Sequence, residues 1–283
     1  MQGKHVAITG PTAGIGRSAA LEIARRGAQL SLFCRNLQKA EELRQEIIAA
    51  GGLEPTIILM DMADLSSVRN AAQTLLDSGQ ALDVLLNNAG VVNTRRKETV
   101  DGFEETLAVN HFAPFLLTGL LMPGLKRSPG ARIVNVASHA HAFVKSMGFE
   151  DMQATRGFKT FREYGRSKLA NILFTRRLAA RLEEQDLTVN CLHPGAVATS
   201  LGSQNNGFLG RNLPRLLKPF FRSPQEGAQT SIYLCCSADV ASISGEYFVN
   251  CKQAKAKPWA CDDAAADRLW SYTEECLGFE FPL

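Results

Sequence analysis

CxxC pairs of cysteines are missing from this sequence. The chain has seven cysteines, an odd number, and they are scattered without a single CxxC pair. A disulfide framework needs an even set, and a zinc site built on cysteine needs closely spaced ligands. We therefore expect reduced thiols that fill space, and neither a disulfide framework nor a metal site.

Long hydrophobic runs and a strong net charge are missing as well. No stretch reaches 18 consecutive apolar residues, and the opening MQGKHVAITG passes directly into a strand-like run without the pattern of a signal peptide. A formal net charge of +3 over 283 residues is too small to imply nucleic-acid binding. The expectation is a cytoplasmic protein with no secretion signal, no membrane span and no nucleic-acid partner.

No repeat, low-complexity tract or Pro/Ser-rich linker divides the chain, so residues 1–283 are expected to form one domain. Apolar runs such as HVAITG, QLSLFCR and PTIILMD alternate with helical patterns. Apolar strands separated by helices predict a parallel sheet covered on both faces, a doubly wound α/β fold. Ligands of such folds bind at the carboxyl ends of the strands.

A glycine-rich turn follows the first predicted strand. Residues 9–16 read TGPTAGIG, a GxxxGxG spacing that differs from the commoner GxGxxG dinucleotide fingerprint. Glycine allows a tight turn and close approach to a pyrophosphate, and the helix N-terminus attracts the phosphates. A ligand-free helix start would also tolerate these glycines, but the strand–turn–helix context favours a cofactor site that includes Gly10, Thr12, Gly14, Ile15 and Gly16.

The second predicted strand lacks the acidic residue with which NAD-preferring sites hold the ribose hydroxyls. It ends in Arg35, which would attract a 2′-phosphate, and Arg17 could add a second charge, although a solvated helix residue is an equally good interpretation of Arg17. We therefore expect NADP(H) to be preferred over NAD(H). Asp61, after the third strand, could accept a hydrogen bond from the adenine, with Met62 beside it in the site.

Five fragments in this order resemble the short-chain dehydrogenase/reductase family: TGPTAGIG (9–16), NNAG (87–90), VNVAS (134–138), YGRSK (164–168) and HPGAVAT (193–199). The resemblance covers essentially the whole chain and implies a single-domain Rossmann-type fold. Four further segments resemble the retinol dehydrogenase-like branch, namely 109–121, 226–237, 244–252 and 268–278. Members of that branch commonly carry an N-terminal membrane anchor, whereas this chain starts nine residues before its glycine turn.

Hydride transfer to a carbonyl needs a proton donor for the oxygen. Tyr164 and Lys168 lie four residues apart on one predicted helical face, and the lysine would lower the tyrosine's pKa from about 10. The resemblance implies that Lys168 also holds the nicotinamide ribose, that Ser138 binds the substrate oxygen, and that Asn110 orders a water linking Lys168 to solvent. Alone, such a Tyr and Lys are usually structural, and no catalytic role is assigned to Gly165, Arg166 or Ser167.

Two more motifs complete the expected cofactor site. The NNAG motif is expected to line the adenosine side with Asn88, Ala89 and Gly90, while Asn87 is structural. HPGAVAT is expected to contact the nicotinamide through Pro194, Gly195, Val197 and Thr199. His139, His141 and His193 match no zinc spacing, and we interpret them as loop or strand-end residues.

Residues 198–224 are expected to form a substrate-binding lid, and 252–283 a C-terminal extension. Three interpretations of the sequence GFLGRNLPRLLKPFFR (207–222) stay open: a lid over a lipophilic substrate, a basic patch in peripheral contact with a membrane, or core packing. The lid is favoured because the segment follows a strand end. Its candidate contacts are Phe208, Leu213, Leu217, Phe220 and Phe221.

The predicted function is an NADP(H)-dependent oxidoreductase that interconverts a lipophilic aldehyde or ketone, retinal-like or otherwise hydrophobic, and its alcohol. Reduction is the expected direction if NADPH is the cofactor. Two alternatives remain: an oxidation-biased alcohol or steroid dehydrogenase, and a regulatory protein that binds NADP(H) without turnover. The protein could be a monomer or a homo-oligomer.

Overall fold

The computed structural model describes residues 1–197 and 222–283, and these residues contain an eight-stranded sheet. Its order is β3-β2-β1-β4-β5-β6-β7-β8, parallel throughout except for β8, which runs antiparallel to β7. The predicted doubly wound Rossmann-type fold is confirmed. The strands are β1 (His5–Thr9), β2 (Gln29–Cys34), β3 (Thr56–Leu59), β4 (Val84–Asn87), β5 (Ala131–Val136), β6 (Leu187–His193), β7 (Tyr247–Val249) and β8 (Lys252–Gln253).

Helices cover both faces of the sheet. Side chains alternate between two cores along each central strand: on β4, Val84 and Leu86 pack towards one face and Leu85 towards the other. Burial on both faces explains why these strands are continuous apolar runs. The helices are α1 (Gly14–Arg25), α2 (Leu37–Ala49), α3 (Leu65–Asp77), α4 (Glu105–Leu107), α5 (Ala113–Lys126), α6 (Thr160–Arg181), α7 (Pro224–Cys236) and α8 (Asp263–Leu277). Helices α1, α2 and α7 contribute to one core, and α3, α5, α6 and α8 to the other.

A π-helical turn, Ala108–Phe112, joins α4 to α5 without a break. Glu104 caps the start of this helix, because its carboxylate accepts hydrogen bonds from the N–H groups of Thr106 (2.9 Å) and Leu107 (2.8 Å). Among the described helices only Glu105–Lys126 is long and apolar enough to cross a membrane, but 89% of its most apolar window is buried inside the fold, as in a core helix. Asn110 lies in the π turn, a type of helical irregularity that is frequent at functional sites.

The C-terminal part of the chain completes the sheet and one helical layer. Strands β7 and β8 form a hairpin that the sequence did not predict, and α8 packs against α6. Residues 252–283 are therefore integrated with the domain. The lid candidates Phe208, Leu213, Leu217, Phe220 and Phe221, and also Thr199, lie outside the described residues.

Candidate active site

A cleft of about 710 Å³ opens at the edge of the sheet where β1 to β6 end. It contains groups predicted for a cofactor at one end and groups predicted for proton transfer at the other. Arg17 and Asn110 do not line the cleft. The predicted residues that do are Gly10, Thr12, Gly14, Ile15, Gly16, Arg35, Asp61, Met62, Asn88, Ala89, Gly90, Ser138, Tyr164, Lys168, Pro194, Gly195 and Val197.

The glycine turn is tied closely to the end of β4. The Thr9 hydroxyl oxygen accepts hydrogen bonds from the N–H groups of Asn88 (3.0 Å) and Ala89 (2.9 Å), and the Asn88 amide donates back to Thr9 O (2.9 Å). A Cβ on Gly16 would lie 2.3 Å from Gly10 O and 2.4 Å from Asn88 Nδ2. Only glycine fits there, and the backbone at the start of α1 stays open to the cleft. This turn fits the pyrophosphate of a dinucleotide.

Basic side chains line the end of the cleft that the sequence predicts for the adenosine. The Arg35 side chain is 63% exposed, and its Nη1 lies 3.9 Å from Asp61 Oδ1. Lys39, in the first turn of α2, also lines the cleft. The sequence analysis missed it, although its position four residues after Arg35 is a usable signal. Arg17 instead forms an ion pair with Glu46 away from the cleft, and its predicted contact with a 2′-phosphate stays a prediction.

Tyr164, Ser138 and Lys168 meet at the other end of the cleft. Ser138 lies beside the Tyr164 hydroxyl, and Lys168 Nζ lies 5.8 Å from the centroid of the Tyr164 ring. Burial raises the pKa of Tyr164 to about 12, against the smaller lowering effect of Ser138. Burial also lowers the pKa of Lys168 to about 8. Lys168 is not among the causes of this shift, and desolvation of the phenolate dominates it, so the predicted lowering of the tyrosine pKa by Lys168 with an oxidised nicotinamide stays a prediction.

Asn110 is fully buried behind this group. Its Oδ1 accepts from Val91 N–H (2.8 Å), and its Nδ2 donates to Val91 O (3.0 Å) and Ser167 Oγ (2.9 Å). A Cβ on Gly90 would lie 3.2 Å from Asn110 Oδ1 and 3.5 Å from Lys168 Nζ. Asn110 thus anchors the segment after β4 next to the lysine; that it orders a water there stays a prediction.

The three residues between Tyr164 and Lys168 all make close contacts. A Cβ on Gly165 would lie 2.7 Å from Ala140 O, so glycine lets α6 approach the 3-10 helix His139–Phe143 that follows Ser138. The Ser167 hydroxyl donates to Tyr164 O (2.8 Å) and accepts from Asn110. The local sequence did not show these contacts. They are made with segments distant in sequence or lie on the buried side of α6.

Arg166 holds the loop that follows the 3-10 helix. It pairs with Glu163 (Nη1 to Oε2, 2.8 Å), and both side chains are buried. Its remaining N–H groups donate to the carbonyl oxygens of Met147 (2.5 Å), Gly148 (2.5 Å) and Asp151 (2.9 Å). A buried charge with so many acceptors organises this loop against the helix that carries Tyr164.

Three histidines lie near Ser138. The His139 ring is 6.1 Å from that of His141 and 5.9 Å from that of His193, measured between centroids. Nδ1 of His141 is 2.7 Å from Ser138 O, and burial lowers the pKa of His193 to about 4. In residues 1–197 and 222–283, no group of three or more His, Cys, Asp or Glu side chains could hold a metal ion.

A doubly wound sheet with a glycine turn at one end of its cleft and a Ser–Tyr–Lys group at the other defines a nucleotide-dependent oxidoreductase. Comparisons with known proteins agree. The family model described as short chain dehydrogenase matches residues 4–208. Mouse retinol dehydrogenase 14 is 46% identical over 98% of this chain and 87% of its own, and mouse retinol dehydrogenase 12 is 40% identical over 99% and 88%.

Solved structures show the same fold. An uncharacterised protein from Mycobacterium paratuberculosis superposes with a TM-score of 0.79 at 29% identity, covering 100% of this chain and 96% of its own. The RhlG/NADP complex from Pseudomonas aeruginosa gives 0.69 at 25% identity, covering 87% and 94%. The chain belongs to the short-chain dehydrogenase family, and within it to the retinol dehydrogenase-like branch. It is an oxidoreductase that acts on alcohol or carbonyl groups.

Proposed function

We propose that this protein is an NADP(H)-dependent reductase of lipophilic aldehydes and ketones. The proposed preference for NADP(H) rests on two cations, Arg35 and Lys39, which line the cleft after β2. A 2′-phosphate is favoured by such cations, whereas NAD-preferring sites place a carboxylate there. The neighbouring Asp61 offsets part of this charge. The related RhlG structure is described as an NADP complex, which supports the same choice.

The residues at the reactive end can supply the proton. When bound, a reduced nicotinamide would supply the hydride for the carbonyl carbon. Tyr164 is protonated at neutral pH, since its pKa is raised to about 12, so it can donate its proton to the carbonyl oxygen while Ser138 holds that oxygen by a hydrogen bond. The buried ammonium of Lys168 stabilises the negative charge that develops on the phenol oxygen.

Oxidation of an alcohol runs through the same residues in reverse, with Tyr164 accepting the proton. The cofactor therefore decides between reduction and the oxidation-biased alternative, and the cations Arg35 and Lys39 favour NADPH and thus reduction. A regulatory protein that binds NADP(H) without turnover would not need Ser138, Tyr164 and Lys168 to lie together at one end of the cleft.

Steady-state reduction of an aldehyde and ketone panel, retinal included, with NADPH and with NADH tests the proposal. Arg35→Asp should raise the KM for NADPH at least tenfold and shift preference towards NADH, because it replaces an attraction to the 2′-phosphate by a repulsion. Arg25→Asp is the matched control, since Arg25 is an exposed arginine that does not line the cleft. An unchanged NADPH/NADH ratio in Arg35→Asp would reject the proposed phosphate site.

Tyr164→Phe tests the chemistry separately. Turnover should fall at least a thousandfold while NADPH binding, followed by fluorescence, is retained, because the variant loses only the proton-donating oxygen. Preserved turnover would remove Tyr164 from the mechanism. Cofactor binding by the unmodified protein without turnover of any carbonyl in the panel would favour the regulatory alternative.

A further inference from the structure

His141 lies between Ser138 and the C-terminal part of the chain. The residue is buried in the 3-10 helix that the Ser138 hydroxyl caps. Its Nδ1 lies 2.7 Å from Ser138 O, and its Nε2 lies 3.3 Å from Lys257 N. Trp259 Nε1–H donates to the carbonyl oxygen of His141 at 2.9 Å. The imidazole thus connects Ser138 to a segment that follows His141 by 116 residues.

The partners of His141 decide which ring nitrogen carries the proton. The backbone N–H of Lys257 can only donate, so Nε2 of His141 is the accepting nitrogen. In a neutral imidazole the proton then lies on Nδ1, which donates to Ser138 O. Burial lowers the pKa of His141 from 6.5, against the raising effect of the Ser138 carbonyl, so the ring is neutral at pH 7. One tautomer in one orientation satisfies both partners.

The position of Ser138 depends on this tautomer. Ser138 O also accepts from the His141 N–H (3.3 Å), and Ser138 Oγ accepts from the Ala140 N–H (3.1 Å). The hydroxyl therefore keeps its own O–H for the oxygen of a substrate. If Nε2 carried the proton instead, the lone pair of Nδ1 would face the lone pairs of Ser138 O, and this repulsion would displace the backbone that carries the hydroxyl.

We propose that His141 is a positioning residue for Ser138 and that the N–H of Lys257 holds it in the required tautomer. The inference rests on the proposed function, in which Ser138 holds the carbonyl oxygen of the substrate. His141 does not line the cleft, so it acts through Ser138. Its ring also packs edge to face on Tyr247 of β7, with centroids 5.4 Å apart, which restricts its rotation. The segment after β8 thereby contributes to the geometry of the reactive residues.

Replacement of Lys257 tests this link without a change in the cleft. Lys257 has a φ of −68°, the value that proline imposes, so Lys257→Pro removes the N–H and keeps this backbone angle. The single-turnover rate of carbonyl reduction should fall about threefold to tenfold, as for the loss of one hydrogen bond, while the affinity for NADPH stays unchanged. Lys257→Ala is the matched control, because it removes the exposed side chain and keeps the N–H; its rate should not change.

The tautomer of His141 can be measured without turnover. The protein has five histidines, and proton–nitrogen correlation spectra of protein labelled with nitrogen-15 at histidine distinguish a protonated Nδ1 from a protonated Nε2. The signals that disappear in His141→Asn identify His141. They should show the proton on Nδ1 alone in the unmodified protein and in Lys257→Ala, and a mixture of both tautomers in Lys257→Pro.

The two measurements together decide the proposal. A slower Lys257→Pro with mixed tautomers supports it. An unchanged rate overturns the positioning role, and a slower rate with His141 still protonated on Nδ1 alone overturns the route through His141. Loss of NADPH affinity or a lowered melting temperature in Lys257→Pro, together with the slower rate, overturns it as well, since the damage is then general. If the unmodified protein reduces no carbonyl compound, the proposed function fails instead, whatever the tautomer.

Discussion

At the scale of single residues, burial sets the protonation states of Tyr164 and Lys168 beside Ser138. Desolvation disfavours the charged form of any side chain, so it raises the pKa of Tyr164 to about 12 and lowers that of Lys168 to about 8. Both shifts leave a neutral phenol beside a mostly protonated amine at pH 7. This is the pair of states that a proton donor for carbonyl reduction requires.

The rate of reduction should depend on pH through the protonation state of Lys168. The ammonium is present below about pH 8 and is lost above it, so kcat/KM for reduction should be level near pH 7 and fall as the pH rises through about 8. Tyr164, with a pKa of about 12, stays protonated over that range. Lys168→Arg keeps its charge at high pH, so kcat/KM of any residual activity should no longer fall near pH 8. If kcat/KM of Lys168→Arg still falls near pH 8, the ionisation of another group causes the decrease.

The residues of the site differ in how far the sequence could predict them. The glycine turn and the Tyr164/Lys168 pair are local patterns, with functional partners close in sequence. Arg166 gave no such signal, because its acceptors are carbonyl oxygens in the loop 147–151. Gly165 likewise becomes informative only when Ala140 is known to lie against it.

At the scale of elements, the contact between α6 and the 3-10 helix His139–Phe143 sets the distance from Tyr164 to Ser138. Gly165 is the point of closest approach, and the atom that a Cβ would meet there is a backbone oxygen, Ala140 O, at 2.7 Å. Backbone cannot give way as a flexible side chain does. The two elements must therefore separate if Gly165 gains a side chain.

Gly165→Ala should lower kcat at least tenfold and destabilise the fold by about 1–3 kcal/mol, because overpacking forces the two elements apart. Steady-state kinetics and urea unfolding measure the two effects. Gly124→Ala is the matched control: this glycine lies inside α5, and its nearest contact for a Cβ is an ordinary 3.4 Å to Leu76. That variant should keep its activity and be as stable as the unmodified protein or slightly more so. Full activity in Gly165→Ala would show that the contact does not position Tyr164.

The missed elements also have a physical explanation. Strand β7 has only three residues, and its turn to β8 uses Asn250 and Cys251, both with positive φ (54° and 59°). Two residues with positive φ form the turn that suits a two-residue hairpin, but Cys is not a residue that predicts it. The π turn at Asn110 could not be predicted from the sequence either, because Glu105–Lys126 has the composition of one continuous helix.

At the scale of the whole molecule, the C-terminal residues belong to the core. Trp270 and Phe281 pack edge to face or tilted against Phe115 of α5 and Phe174 of α6, with centroids 4.9–6.2 Å apart within the group. The sequence predicted a helix for Tyr164 and Lys168 but none for α8, and this aromatic cluster depends on how α5, α6 and α8 meet. It ties the helix carrying Tyr164 to the end of the chain.

Buried histidines make the free energy of unfolding decrease as the pH falls into the acid range. His111, next to Asn110 in the π turn, is fully buried, its Nε2 lies 3.0 Å from Thr273 Oγ1 of α8, and burial lowers its pKa from 6.5 to about 3. The unfolded chain binds this proton below about pH 6.5 and the folded protein only near 3. The stabilisation is therefore complete above pH 6.5 and is lost as the pH falls below it. His193, with a pKa lowered to about 4, acts in the same direction.

We expect the free energy of unfolding, measured by urea titration, to fall between pH 7.5 and pH 5, with about 2 kcal/mol of the loss due to His111 alone. The carboxylates with lowered pKa values, such as Glu22 at about 2, add their loss mainly below their ordinary pKa of 4.5, so this pH window isolates the histidines. His111→Gln should lower the stability at pH 7.5 but reduce the further loss on going to pH 5 by about 2 kcal/mol. A generic packing defect lowers the stability equally at both pH values, so an unchanged pH dependence in His111→Gln would show that protonation of His111 does not limit stability in acid.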